Sequence, residues 1–431
     1  MVFMKKRKVQ IQEYSSSTLQ GLSEDTENTL FNTADRLSEF YRSQVMRCSK
    51  NRNGDVIINT SSFVGVIDID DKLTIEIIPK IYDSNDSASL QNLFYMLSYS
   101  GQFNIPDKSL SSLEKYNGTF FEILIGMFAD ELLDKVQNSA HHEYIQDEDN
   151  RPYLRGKLMM SGHLKANGVL ANKFYTRTDE FTANNLLNQT LKFVSSGLYS
   201  ITNEPSNKKR LRMCLALFDE VDDVRVTKRQ AESIHLTRLN KRFENLLMLA
   251  KLFLSNQTLV AKSGRHESWT ILIDMNVLFE EFVAKALERG LHNSSYKVMS
   301  QGPRAKFVRN IDDDREVFTT KPDISILQNK DVVKIADTKY KKLAEDDTKY
   351  GVSQPDLYQM FAYSRKYRTP DVTLIYPKTN GVLSHTLELP DETRVHVRSI
   401  NLERNLRKEI KSIENEVVAM FRREKKETIE V

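Results

Sequence analysis

The apolar positions of the chain change period several times, and each change marks an element. From Glu24 to Arg47, Leu30, Phe31, Ala34, Leu37, Phe40 and Tyr41 recur at helical spacing, which predicts an amphipathic helix. The period then shortens. Val56-Ile57-Ile58 is a brief apolar run. Phe63 to Ile69 and Leu73 to Ile81 follow, joined through Asp70-Asp71-Lys72 as in a β-hairpin, and Pro79 should end the second strand or hold it at an edge. Ser84 to Ser89 reads as a loop, and Leu90 to Tyr99 as a helix that stops near Gly101. Residues 117–140 carry a broad apolar face (Phe120, Phe121, Ile123, Leu124, Met127, Phe128, Leu132, Val136), the mark of a helix buried between other elements.

The middle of the chain is more polar. Glu148 to Arg155, with Pro152, is a candidate boundary. Ala183 to Lys192 opens a helix with three asparagines, Asn184, Asn185 and Asn188. Asparagine favours caps and turns, so these either cap and pack or form a positioning site for DNA or a partner. Residues 208–262 read as helical, with Leu246 to Phe253 a core helix. Lys208-Lys209-Arg210 and Lys228-Arg229 either touch phosphates or are solvated faces. Neighbouring residues of a helix or strand point apart, so His141-His142-Glu143 reads as ordinary surface rather than a metal site.

Ile271 to Leu287 then predicts an amphipathic helix, with Met275, Leu278, Phe279, Phe282, Val283 and Ala286 inward and Glu280 and Glu281 on its flank. Thr319 to Lys342 reads as two short strands joined by a polar turn. Asp346 to Gly351 reads as a mobile loop, Pro355 to Lys366 as a helix, Asp371 to Pro377 as a strand, Val395 to Ile400 as another, and Arg404 to Arg423 as a terminal amphipathic helix. The fold class expected is α/β: a β-containing N-terminal domain, a helical middle region and a C-terminal mixed sheet. The expected divisions are 1–150, 151–265 and 266–431.

Composition narrows the class. A chain of 431 residues with 40% hydrophobic and 28% charged positions can build two or three cored domains. A net charge of +3 permits a local nucleic-acid patch without demanding one. Cys48 and Cys214 lie far apart without metal-type spacing, which argues against a disulfide scaffold or zinc site and leads us to expect a cytoplasmic protein. The basic start has no apolar run behind it, and no stretch approaches a transmembrane length, so no membrane partner is expected.

The candidate chemistry lies in Thr319–Lys342. Asp323 opens the first strand; Asp337 and Lys339 share one face of the second. Two carboxylates and an ammonium at a hairpin mouth suit a hydrated Mg²⁺, which activates water and offsets phosphate charge. The hypothesis is therefore a metal-dependent nuclease. It carries a demand on register. Asp323 and Asp337 share a metal only from one face, and opposing them centres the pairing on Lys330. That needs an odd-length loop such as Asn329-Lys330-Asp331, or a compensating bulge. A two-residue turn without a bulge would put them on opposite faces. Gln359 and Tyr363, four apart, share a helix face, although Tyr363 reads equally well as core. Lys341 shares a face with Lys339 and is a phosphate contact by position. Asn32-Thr33-Ala34-Asp35 imitates a guanine-selecting element, but the chain lacks a Gly-x-x-x-x-Gly-Lys-Ser/Thr phosphate loop, so we reject a GTPase reading.

A helix with Glu280, then Pro322-Asp323, then Asp337-Thr338-Lys339 resembles the PD-(D/E)xK nuclease superfamily. Gln359-x-x-x-Tyr363 is similar to the helix motif that follows this core in related DNA-processing nucleases. Leu73 to Ile81, Asp179 to Lys192, Met275 to Val283 and Ile335 to Lys341, in that order, resemble the McrC family, the nuclease subunit of modified-cytosine-dependent restriction systems. The resemblance implies Asp323 and Asp337 as Mg²⁺ ligands, Glu280 (with Glu281 as rival) as a further metal contact, and Lys339 beside the attacking water. It implies Gln359, Tyr363 and Lys341 as DNA-positioning residues. It further implies double-stranded DNA with modified cytosine as substrate, and an McrB-like AAA+ GTPase ring that binds the GTP and whose hydrolysis this chain stimulates. The competing expectations are a stand-alone repair or mobile-element nuclease and a non-catalytic activator of a ring motor.

Overall fold

The computed structural model describes residues 6–79, 87–101, 120–137, 140–168, 172–255, 257–261, 267–341, 352–378 and 384–421. Where the sequence suggests three consecutive segments, the chain forms two compact units, and one is discontinuous: residues 1–113 with 272–431, and residues 114–271.

The first unit begins with β1 (Arg7–Gln12), β2 (Ser16–Leu19), α1 (Glu24–Tyr41), β3 (Met46–Lys50), β4 (Val56–Thr60), β5 (Phe63–Asp68), β6 (Leu73–Ile78) and α2 (Ser87–Tyr99). β1 lies parallel to β6, which pairs antiparallel with β5; β2, β4 and β3 form a second antiparallel sheet. Leu30 and Leu37 of α1 pack with Ile58, Phe63, Ile67 and Ile75 in one core. The Asp70-Asp71-Lys72 turn forms as expected, with Asp70 Oδ1 accepting from the amides of Lys72 and Leu73 at 2.8 Å. Pro79 follows the last residue of β6, consistent with its missing N–H. α1 is shorter than the apolar period suggests. Arg42 turns left-handed and sends its N–H back to Glu39 and Ser38, and Met46–Lys50 is a strand paired with β4.

The second unit contains α3 (Phe120–Val136), β7 (Glu143–Arg151), β8 (Lys157–Leu158), α4 (Met160–Asn167), β9 (Phe174–Thr182), α5 (Leu186–Ile201), α6 (Pro205–Ala216), α7 (Lys228–Glu232), α8 (Glu244–Ser255), β10 (Gln257–Ala261) and most of β11 (Glu267–Asp274). β9 pairs on either side with β7 and β8. The stretch read as helical over 208–262 instead breaks into separate helices and ends in β10, paired with β11. The asparagine cluster caps and packs. Asn185 caps α5 through the Asn188 amide, and Asn188 Nδ2 donates to the carbonyls of His141 and Ala183, both at 2.7 Å. This corrects the surface reading of His141, which is 9% exposed. Its carbonyl receives Asn185 and Asn188, and its ring lies against Phe243. His142 instead stacks on Phe181.

The first unit resumes with α9 (Met275–Gly290), β12 (Lys297–Ser300), β13 (Ala305–Arg309), β14 (Glu316–Thr320), β15 (Ile324–Gln328), β16 (Asp331–Thr338), α10 (Gln354–Tyr367), β17 (Asp371–Pro377), β18 (Ser384–Glu388), β19 (Arg394–Ile400) and α11 (Leu406–Ala419). α9 begins four residues later than Ile271, because Ile271–Asp274 finish β11 and the Asp274 carboxylate caps the helix through the Asn276 amide. The sheet order is β12-β15-β16-β17-β19-β18, parallel across β16-β17-β19 and antiparallel elsewhere. Ile335, Met360, Val372, Leu374, Tyr376, Val395 and Val397 form the core between this sheet and α10. The Asp346–Gly351 loop and Arg422-Arg423 lie outside the described residues.

Candidate active site

β15 and β16 meet through the two-residue turn Asn329-Lys330, both at positive φ (50° and 77°), the geometry that suits the right-handed twist of a hairpin. Alone, this turn would separate the two aspartates. A bulge restores them. The pairing runs Gln328 with Asp331 and Leu327 with Val332, then shifts to Ile326 with Lys334 and Ile324 with Ala336, leaving Val333 extra. The new register brings Asp323 opposite Asp337, so of the two devices the chemistry required, the hairpin uses the bulge.

Asp323 Oδ2 accepts from the Thr338 amide at 2.9 Å and its hydroxyl at 3.1 Å. Asp337 is 1% exposed. Its Oδ1 accepts from Gln359 Nε2 at 3.2 Å. Its Oδ2 is paired with the Lys339 ammonium at 2.5 Å. Lys339 Nζ also donates to Gln359 Oε1 at 3.0 Å, and Gln359 Nε2 contacts the Tyr363 hydroxyl at 2.8 Å. Tyr363 in turn donates to the Lys321 carbonyl at 3.1 Å while its ring joins the core. Lys341 Nζ meets Asp356 Oδ2 at 2.6 Å and lies over the Tyr376 ring.

Glu280, on α9, completes the acidic group electrostatically. Burial, then the charges of Asp323 and Asp337, raise its carboxyl to about 7. Burial and the Asp323 charge raise Asp337 to about 7 as well, against the pull of Lys339. Burial also raises Asp323, although Thr338 and Lys339 oppose it. Burial pulls the Lys339 ammonium down, but Asp337 and its acidic neighbours outweigh this and raise it. Three carboxylates that raise one another's proton affinity in a buried pocket are a site that takes up positive charge.

The facing Asp323 and Asp337 carboxylates, all-oxygen donors, fit Mg²⁺, which needs one or two carboxylates and keeps its waters. A closed protein cage is absent: among the described residues no group of three His, Cys, Asp or Glu stands ready to hold a metal ion. Glu280 is instead hydrogen-bonded to Gln301, whose amide donates to the Asp323 carbonyl at 2.7 Å.

Asp356, Gln301 and Thr338 enter the site without having been singled out in the sequence. Asp356 had a signal: Ser353-x-x-Asp356 is a helix-start pattern, and Ser353 caps α10 through the Asp356 amide. Its burial raises the carboxyl, but Lys341, Ser353 and Lys339 outweigh this and hold it below the usual range. Away from the site, Arg210 and Lys228 of the basic clusters are paired with Asp130 and Glu232.

The fold has a solved counterpart. A chain of the refined half-complex from the tetradecameric assembly of Thermococcus gammatolerans McrB AAA+ hexamers with bound McrC superposes with a TM-score of 0.65 at 21% identity, covering 94% of this chain and 100% of that one. A chain of the Thermococcus gammatolerans McrBC complex aligns at 0.49 and 23% identity, covering 66% and 88%. None of the curated proteins compared matches the chain. Among the described residues no helix is long and apolar enough to cross a membrane. The sequence model of the McrBC 5-methylcytosine restriction system component matches residues 58–377, most of the chain and all of the bulged hairpin, and the chain therefore belongs to the McrBC family.

Proposed function

We propose that this chain is the Mg²⁺-dependent, PD-(D/E)xK-type DNA endonuclease subunit of a modified-cytosine restriction complex. The observation that carries the reading is the buried Asp323–Asp337 pair on a bulged hairpin, with Lys339 at 2.5 Å from Asp337. Bound there, Mg²⁺ supplies a Lewis acid toward the phosphate and a water of lowered pKa. Asp323 and Asp337 would hold it, and Glu280, whose raised proton affinity favours a cation nearby, would add a further contact. Lys339, kept charged by Asp337, presents an ammonium where phosphate charge develops; this electrostatic role is better supported than a role as base. Gln359 bridges Asp337, Lys339 and Tyr363 and fixes their spacing. Lys341 and Tyr363 are the residues we assign to positioning the DNA strand.

The solved relative is a complex of AAA+ hexamers with McrC, and we propose an equivalent GTPase ring as this chain's partner, with residues 1–150 as the partner-binding region. GTP is then bound, and its hydrolysis stimulated, on the ring. The test is cleavage of plasmid DNA, methylated or not, with Mg²⁺ and with or without the GTPase and GTP. Lys339→Ala and Asp337→Ala should abolish cleavage and leave partner binding intact. Full cleavage by either variant removes the assignment. Cleavage of unmethylated DNA by the chain alone would make it a stand-alone nuclease.

A further inference from the structure

Tyr340 separates the two active-site lysines, and its surroundings belong to a distant stretch of sequence. The backbone turns tightly about it: the Lys341 amide donates to the Lys339 carbonyl at 2.9 Å, while the Lys339 amide donates to Ile375 at 2.9 Å. Lys339 and Lys341 both send their ammonium groups toward Asp356, at 4.0 and 2.6 Å. The Tyr340 ring does otherwise. It is 2% exposed and packs at 5.9 Å from Phe279, the residue before Glu280. Its hydroxyl donates to Glu13 Oε1 at 3.0 Å, and Glu13 is fully buried. Its carbonyl accepts from the Tyr14 hydroxyl at 3.2 Å.

Glu13 and Tyr14 follow β1 and are themselves fixed. The Glu13 amide donates to Ile78 at the end of β6, at 2.9 Å, and the Tyr14 amide to Ser61 at 3.2 Å. Tyr14 sits at φ 52°, a left-handed conformation that costs a tyrosine about 1 kcal/mol or more and persists only where the surroundings demand it. That turn lets consecutive residues grip Tyr340 at two points, hydroxyl and carbonyl. A carboxylate buried to this degree and 327 residues from its partner is an expensive way to hold an ordinary core tyrosine.

We propose that Glu13 and Tyr14 are positioning residues for Lys339: by clamping Tyr340 at both ends they set the turn that aims Lys339 at Asp337, and through Phe279 they tie that turn to the helix bearing Glu280. The clamp touches no reacting atom. It deepens the nuclease reading and rests on it. It places a determinant of the chemistry in the N-terminal strands rather than in the mixed sheet alone.

The test is single-turnover cleavage of methylated plasmid by the full chain with Mg²⁺, the GTPase and GTP, over a series of DNA concentrations, beside DNA binding and thermal unfolding. Tyr340→Phe keeps the ring and removes the hydroxyl. Displacing Lys339 by a fraction of an ångström should slow cleavage about tenfold or more with DNA binding unchanged. The loss should lie in the cleavage rate at saturating DNA and not in the half-saturating DNA concentration, with thermal unfolding near wild type. Tyr14→Phe, at an already partly exposed residue, should act in the same direction. Glu13→Gln, which still offers an oxygen acceptor, should retain most of the rate that Glu13→Ala loses. Cleavage by Tyr340→Phe and Tyr14→Phe within twofold of wild type, a slower rate matched by equally weakened DNA binding or by early unfolding, or a Glu13→Gln rate as low as that of Glu13→Ala, overturns the clamp. Lys339→Ala run alongside separates the two ideas. If it is inactive while Tyr340→Phe is fully active, only the clamp falls; if it is active, the nuclease reading falls and takes the clamp with it.

Discussion

The raised proton affinity of Asp337 can be tested on folding alone, without DNA or partner. Its carboxyl stands at about 7 in the folded chain against an ordinary 3.8. Between these values the native state holds a proton that the unfolded chain has lost. The native state therefore binds more protons, and stability falls as pH rises from about 4 to about 7, then levels off. Each pKa unit is worth 1.36 kcal/mol, so a shift of about three units sets a ceiling of about 4 kcal/mol. Part of that is shared with Asp323 and Glu280, and removing the charge also deprives Lys339 of its 2.5 Å partner, so we take about 2 kcal/mol as the net. Asp337→Asn has nearly the shape of the protonated side chain. It should exceed wild type by somewhat less than about 1 kcal/mol at pH 5 and by about 2 kcal/mol at pH 8 in urea unfolding followed by circular dichroism, with divalent cations chelated. Adding Mg²⁺ at pH 8 should stabilise wild type and not the variant, narrowing the gap. An equal difference at both pH values, or a variant less stable at pH 8, would show that Asp337 is ordinarily ionised and that the pocket does not crave positive charge.

Deleting Val333 removes the unpaired residue and leaves a simple two-residue hairpin in which Ile326 still faces Lys334 and Asp323 still faces Asp337; cleavage should survive with far-ultraviolet circular dichroism near wild type, and its loss would refute the pairing. Lys330→Gly relieves a side chain held at φ 77° and should raise stability by about 1 kcal/mol in the same urea assay, without altering cleavage. Asn188→Ala removes two buried hydrogen bonds, although Asn185 still donates to both the His141 and Ala183 carbonyls, and should cost about 1 kcal/mol, read as a lower urea midpoint for the second unit.

The site was legible in the sequence where chemistry and periodicity coincide. Asp323, Asp337 and Lys339 sit at set places on two short strands, and the need to face them together forced either an odd loop or a bulge. Which device operates was not legible, because Val332 and Val333 are equally good strand residues and only pairing energy chooses between them. α9 was drawn too early for a similar reason: Ile271-Leu272-Ile273 suits a buried strand as well as a helix, and Asp274 was the only cue to the boundary. α1 was drawn too long because Arg42, which ends it, carries no Gly or Pro signal. Asp356 escaped notice because it sits in the first turn of a helix, where an acidic residue needs no further explanation. The discontinuity of the first unit was invisible, since a sequence pattern says which face is apolar and not what covers it. Leu272 completes the core of α1 and β5 from about 200 residues away.

That discontinuity has a consequence for biosynthesis. The N-terminal strands leave the ribosome before the residues that finish their unit, with the roughly 160 residues of the second unit in between. At ordinary elongation rates this is a wait of about 10 to 30 s, during which β5, β6 and Glu13 remain without their final neighbours. The nascent first unit is thus the part of the molecule most exposed to chaperones and to premature association. It also follows that the candidate site arises late: the Asp337–Lys339 segment is born only after the second unit has emerged, so an interrupted chain is released without it.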